Sequence, residues 1–279
     1  MSTYDMHGKT VLVTGATDGI GKQTAIKLAR LGAQVVVHGR RVERCKDALA
    51  EIAAVSGRND LRTIIADFSR LDEVRRMADE MLQEYDRLDV LINNAGVFMK
   101  RRVLTNEGLE TSFCVNHLAP FALTMRLLPL LRTSAPARIV TVSSMAHRRG
   151  EIDFKNLQGE QSFRKMMIYS NSKLANVMFT FELAERLAGS GVTATCLHPG
   201  VIATKLLHVA FDLPGDSPSA GAETPVYLAA SPQAAEANGV YFQDCAPSHH
   251  SPLADDVDLR REFWEISEYL SGEKIPAEW

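Results

Sequence analysis

The sequence predicts an α/β fold: one doubly wound domain with a central seven-stranded parallel sheet and helices on both faces. Short β-rich runs alternate with longer helical patterns from the start, as in successive βαβ units. Val11-Leu12-Val13 and Val35-Val36-Val37 are apolar at successive positions, as strands covered on both faces must be. No linker, repeat or low-complexity tract interrupts the 279 residues, 46% of them hydrophobic. Residues 1–279 therefore read as a single domain, with a first half over about 8–145 and a second over about 146–279.

Each element follows from its local pattern. Strands are predicted at Thr10 to Thr14, Gln34 to His38, Arg62 to Ala66, Asp89 to Asn93, Arg138 to Ser143, Val192 to Leu197 and Val240 to Gln243. Helical patterns separate them at Ile20 to Leu31, Val42 to Val55, Leu71 to Tyr85, Leu109 to Arg132 and Ile168 to Ala188. Two segments break the rhythm. Arg148 to Lys165 is charged and loop-like, and Lys205 to Pro225 is rich in Pro, Gly and Ser, which predicts a mobile lid over about 205–225.

Composition excludes several functions. A net charge of -3 and a pI near 6.3 offer no basic field for a nucleic-acid backbone. Cys45, Cys114, Cys196 and Cys245 form no metal-ligand spacing, which suits free thiols in a reducing compartment. The polar stretch Met1 to Lys9 carries no signal-peptide run, and no stretch reads as the roughly 18 apolar residues a membrane span needs. A cytoplasmic protein without a membrane anchor is expected.

Where the first strand meets its helix the chain reads Thr14-Gly15-Ala16-Thr17-Asp18-Gly19-Ile20-Gly21. Glycines let a backbone approach a pyrophosphate, and the helix N-terminus offers it unpaired N–H groups. A structural turn is the bland alternative. The second strand ends in His38-Gly39-Arg40-Arg41, without the acid that would accept from a ribose 2′-hydroxyl. A guanidinium at Arg40, with Arg41 beside it, can instead pair with a 2′-phosphate, so NADP is expected over NAD. Asp18 counts slightly against this choice, and the two arginines could also simply open a solvated helix. Asp67, followed by Phe68, ends the third strand in position to touch an adenine, although an Asp there also serves as a helix cap.

Tyr169-Ser170-Asn171-Ser172-Lys173 opens a helix, and the i, i+4 spacing puts the phenol and the ammonium on one face. Holding a free phenol as phenolate at pH 7 costs about 4 kcal/mol. A neighbouring cation lowers that cost, so the pair can trade a proton with a substrate oxygen.

Taken in order, Thr14-Gly15-x-x-x-Gly19-Ile20-Gly21, Asn93-Asn94-Ala95-Gly96, Asn116, Ser143-Ser144, Tyr169-x-x-x-Lys173 and Pro199-Gly200-Val201-Ile202-Ala203-Thr204 resemble the short-chain dehydrogenase/reductase family over nearly the whole chain. Val142 to His147, Tyr169 to Asn176 and Asp244-Cys245 are similar to its retinol dehydrogenase-like branch. The resemblance implies a Rossmann-type domain and an oxidoreductase that moves hydride between nicotinamide and a carbonyl or alcohol. It implies that Ser144, with Ser143 as the alternative, polarises the substrate oxygen. Lys173 would grip the nicotinamide ribose, and Asn116 would anchor a proton-relay water. Asn94, Ala95 and Gly96 would form the cofactor rim, with Pro199, Gly200, Ile202 and Thr204 under the nicotinamide.

The apolar lid residues Leu206, Leu207, Val209, Ala210 and Phe211 favour an apolar aldehyde, ketone or alcohol. An NADP-binding redox sensor with a vestigial site, or a reductase of a carbon-carbon double bond, are the alternatives. Twenty-five positions separate Ser144 from Tyr169, more than is common in the wider family. The extra segment could shape the pocket mouth or hinder pairing of subunits, so homodimer, homotetramer and monomer all stay open. His249-His250 lacks the partners of a metal site. Lys100-Arg101-Arg102 and Arg148-Arg149 read as solvated charges with a secondary role in attracting an anionic cofactor.

Overall fold

The computed structural model describes residues 4–210 and 214–276. Strands β1 (Thr10–Val13), β2 (Gln34–Gly39), β3 (Arg62–Ile65), β4 (Val90–Asn93), β5 (Ala137–Val142), β6 (Val192–His198), β7 (Val240–Gln243) and β8 (Ala246–Pro247) form one sheet in the order β3-β2-β1-β4-β5-β6-β7-β8. The seven predicted strands all pair in parallel. An eighth, short and antiparallel, extends the expected sheet. It hangs on a tight turn in which Asp244 and Cys245 both take positive φ, 52° and 58°, a two-residue hairpin conformation that a side-chain pattern does not announce.

Helices α1 (Gly19–Arg30), α2 (Val42–Ser56) and α3 (Leu71–Glu84) fall close to their predicted places. Alternate strand residues explain the continuous apolar runs. Val11, Val13, Val35 and Val37 enter the core on one face, with Ala25, Leu28 and Ile52. Leu12 and Val36 enter the core on the other face, with Met77 and Leu128. Each side of the sheet is thus sealed by burial of aliphatic surface.

The predicted helix Leu109 to Arg132 divides into α4 (Thr111–Phe113), a π-helical turn over Cys114–Leu118 and α5 (Ala119–Thr133). By length and composition, Thr111–Thr133 could cross a membrane, which corrects the expectation that no run is apolar enough. Here it lies mostly buried in the core. Helix α6 (Lys165–Arg186) follows, then α7 (Lys205–Ala210), α8 (Pro218–Gly221), α9 (Glu223–Ala230) and α10 (Val257–Ser271).

The segment expected as a lid is therefore largely helical. It is tied back by Ala203 N–H donating to Asp216 O (2.8 Å) and Asp216 N–H donating to Val201 O (2.8 Å). Phe211 lies outside the described residues. The extra segment after Ser144 packs inward, with Ile152, Phe154 and Leu157 against the main core.

Candidate active site

The site forms at the C-terminal ends of the parallel strands, where β1 lies between β2 and β4 and chain direction across the sheet switches. Gly15 takes φ +64°, and a Cβ there would lie 2.9 Å from Ala95 Cα. At Gly21 an added Cβ would stand 2.4 Å from both Asn94 Nδ2 and Gly15 O. The turn is folded that tightly because Asn94 Nδ2 donates to Thr14 O (2.7 Å), while Asn94 and Ala95 N–H donate to Thr14 Oγ1 (2.9 and 3.0 Å).

His38 completes the clamp, a role the sequence reading missed. Gly15 N–H donates to its Nδ1 (3.1 Å), and its Nε2 bonds Ala66 O (3.0 Å). Those partners fix the neutral tautomer with the proton on Nε2. Burial agrees, pushing the imidazole down to about 4. Phe68 stacks on this ring at 4.3 Å, so its side chain braces the loop through His38.

At the adenosine end, Arg40 and Arg41 are exposed and hold no side-chain partner among the described residues. An added Cβ on Gly39 would stand 2.4 Å from Thr17 Cγ2, which sets Thr17 against the β2 end beside Arg40. Asp67 behaves as a turn former: its Oδ1 accepts from Ser69 N–H (2.9 Å) and Ser69 Oγ (2.8 Å). Asp18 caps α1 by accepting from Gly19 N–H (2.8 Å) and forms an ion pair with Lys205 of α7. Lys205 holds the Asp18 carboxyl below its ordinary range and offsets the one acid of the phosphate turn.

At the other end, β5 runs out at Val142 and the two serines diverge. Ser143 Oγ donates to Lys173 O (2.7 Å), a bond within the scaffold. Ser144 Oγ instead accepts from Ala146 N–H (3.2 Å) and lines the cavity with Tyr169, whose phenol it holds lower than burial alone would. His147 braces Ser144, with Nδ1 bonded to Ser144 O (2.6 Å) and Nε2 accepting from Ser251 N–H (3.1 Å).

Tyr169 is buried, which pushes its phenol up to about 12 against a smaller lowering influence of the Ser144 hydroxyl. Burial pushes the Lys173 ammonium down to about 8. Lys173 Nζ donates to Val142 O (3.0 Å) and lies 5.9 Å from the centre of the Tyr169 ring.

Asn116 lies in the π turn. Its Oδ1 accepts from Val97 N–H (2.7 Å), and its Nδ2 donates to Val97 O (3.0 Å) and Ser172 Oγ (3.0 Å). Both amide hydrogens are thus spent on protein, which leaves acceptor lone pairs of Oδ1 and of the main-chain carbonyl for a water.

A cavity of about 450 Å³ joins these parts. Ile20, Asn94 and Gly96 line one end, Ser144, Tyr169 and Lys173 the reacting end, and Pro199, Gly200, Ile202 and Thr204 one wall. Leu207 N–H donates to Thr204 Oγ1 (3.3 Å). The cleft fits a dinucleotide: glycines leave room at the turn, and the buried Lys173 ammonium has three donors and one protein acceptor, leaving two for ribose hydroxyls. Among the described residues, no group of His, Cys, Asp and Glu could hold a metal ion.

The short chain dehydrogenase family model matches residues 9–212. The chain belongs to the short-chain dehydrogenase family. Within it, this short-chain dehydrogenase falls in the retinol dehydrogenase-like branch. It is 44% identical to human retinol dehydrogenase 14, with 96% of this chain and 87% of the relative covered. Human retinol dehydrogenase 13 is 39% identical, with 97% and 86% covered. Among solved structures, an uncharacterized protein from Mycobacterium paratuberculosis superposes with a TM-score of 0.83 at 33% identity, covering 98% of this chain and 97% of that one. The Pseudomonas aeruginosa RhlG/NADP active-site complex superposes with a TM-score of 0.72 at 26% identity, covering 87% and 97%.

Proposed function

We propose that this short-chain oxidoreductase uses NADP to interconvert an apolar aldehyde or ketone with its alcohol, in a cytosolic setting. The observation that carries the reading is that Ser144, Tyr169 and Lys173 line one cavity together. Nicotinamide, when bound, supplies or accepts the hydride. For reduction, Ser144 holds the substrate oxygen and Tyr169 gives it a proton as negative charge develops. A phenol held near 12 keeps that proton at neutral pH until it is needed. Lys173 grips ribose hydroxyls and stabilises the phenolate left behind. Oxidation reverses these steps.

Arg40 supports NADP, since it stands exposed at the β2 end with no partner among the described residues. The NADP complex of a structural neighbour points the same way. Gly15, Thr17, Gly19, Ile20 and Gly21 would hold the pyrophosphate, Asn94, Ala95 and Gly96 the rim, and Ile202 and Thr204 the nicotinamide side. Met145, Met166, Leu206 and Leu207 in the cavity wall support an apolar substrate, as do relatives named retinol dehydrogenases. The four free cysteines, three of them buried, support a reducing compartment.

The test is a panel of aldehydes, ketones and alcohols assayed with NADPH and NADH, using wild type, Tyr169→Phe and Arg40→Ala. Tyr169→Phe is expected to bind NADPH nearly as wild type and to lose turnover by about 10²-fold or more. Arg40→Ala is expected to weaken NADPH by roughly ten- to a hundredfold. Undiminished turnover in the first variant overturns the acid-base assignment. A preference for NADH that ignores Arg40 overturns the cofactor.

A further inference from the structure

The reacting cavity holds charge that hydride transfer does not use. Ser144 caps a short 3-10 turn, Met145–Arg149, whose end carries Arg148 and Arg149. Both arginines line the same cavity as Ser144, Tyr169 and Lys173. Among the described residues no carboxylate lines that cavity. Arg148 spends one N–H group on His249 O (2.8 Å), which fixes the guanidinium and leaves its other donors open. Arg149 has no partner among the described residues.

His198 adds a neutral polar group. It is 5% exposed, burial pushes it down to about 4, and it too lines the cavity. Met145, Met166, Leu206 and Leu207 add aliphatic and thioether surface to the wall. A low-dielectric cleft with charge of one sign concentrates the opposite sign in a ligand, and a guanidinium fork matches a carboxylate bidentately.

We infer that the substrate is an aliphatic aldehyde, ketone or alcohol that carries a carboxylate remote from the reacting carbon, held by Arg148 and Arg149 at the rim. The inference rests on the hydride-transfer reading above and narrows its substrate class. The apolar wall takes the chain, Ser144 and Tyr169 take the carbonyl oxygen, and the arginine pair takes the acid.

The experiment compares 10-oxodecanoic acid with its methyl ester, each with NADPH, in wild type, Arg149→Gln, Arg149→Lys and the Arg148→Gln, Arg149→Gln double variant. Binding of decanoate and of decanol to the NADPH complex is measured by calorimetry beside it. Wild type is expected to favour the acid over the ester by tenfold or more in kcat/KM, chiefly through KM, and to bind decanoate over decanol by a similar factor. The double variant is expected to bring both ratios near one, and Arg149→Lys to keep part of them. Decanyl phosphate in the binding arm separates general anion capture from carboxylate selection: binding as tight as decanoate overturns the carboxylate assignment.

Equal handling of acid and ester in wild type, or a preference that survives the double variant, overturns the inference. Selective decanoate binding without turnover of any carbonyl sustains the anion site and overturns the hydride-transfer reading alone.

Discussion

Lys173 is an ammonium held inside protein with a single carbonyl against it. Its folded value near 8 lies below its ordinary 10.5, so the folded chain binds fewer protons than the unfolded chain between those limits. Stability should therefore rise with pH from about 8 towards 10.5. Tyr169 acts in the opposite sense, because its folded value near 12 exceeds 10 and stability is lost as pH climbs between them. Urea midpoints at pH 7 and pH 9.5 for wild type and Lys173→Met check the lysine's contribution. Wild type should gain more over that interval, and parallel changes in the two proteins would refute the assignment.

At this scale much of the site was legible. Tyr169, Lys173 and Ser144 carry chemistry in their identities, and spacing put the first two on one helix face. His38 and His147 were not legible, because their roles depend on partners such as Gly15, Ala66, Ser144 and Ser251 that the fold brings together. The only sequence hint was that each ends an apolar strand or follows the serine pair.

Among the elements, the π-helical turn at Cys114–Leu118 depends on one side chain. Asn116 makes two hydrogen bonds to the Val97 backbone and one to Ser172, next to Tyr169 and Lys173 on α6. Such turns inside helices mark functional sites. Asn116→Ala should lose about 1–3 kcal/mol of stability through the groups left unpaired. It should also lower kcat more than it weakens NADPH, as read by denaturation, steady-state kinetics and cofactor titration. A loss of stability with kcat intact would reduce Asn116 to a structural brace.

Strand positions were readable because the buried runs between glycine-rich turns leave little choice. Helices α7 to α10 were not assigned: α7, α8 and the start of α9 lie in a stretch rich in Pro, Gly and Ser, and α10 has a strongly charged surface around Phe263 and Trp264. The π turn was invisible, since a single extra residue in a helical turn leaves the apolar period almost unchanged.

Across the molecule, four buried histidines share one liability. His38, His147 and His198 are pushed down to about 4 and His117 to about 3, all by burial. Their stability contribution is complete above about 6.5 and is lost as pH falls towards 4, because the unfolded chain takes up protons first. Each contributes a slope of up to ~1.4 kcal/mol per pH unit in that window. The urea midpoint should therefore drop steeply between pH 7 and pH 5, and a flat profile there would contradict the neutral histidine assignments.

His147 also joins two remote stretches of chain. One ring nitrogen bonds the backbone of Ser144, and the other takes the N–H of Ser251, which follows the last strand of the sheet. A chain cut short after Pro247 would leave that imidazole without its second tether and free the turn that aims the serine hydroxyl. The carboxyl-terminal stretch is in this sense a strut for the reacting centre, and its trimming would be felt first where bonds are made.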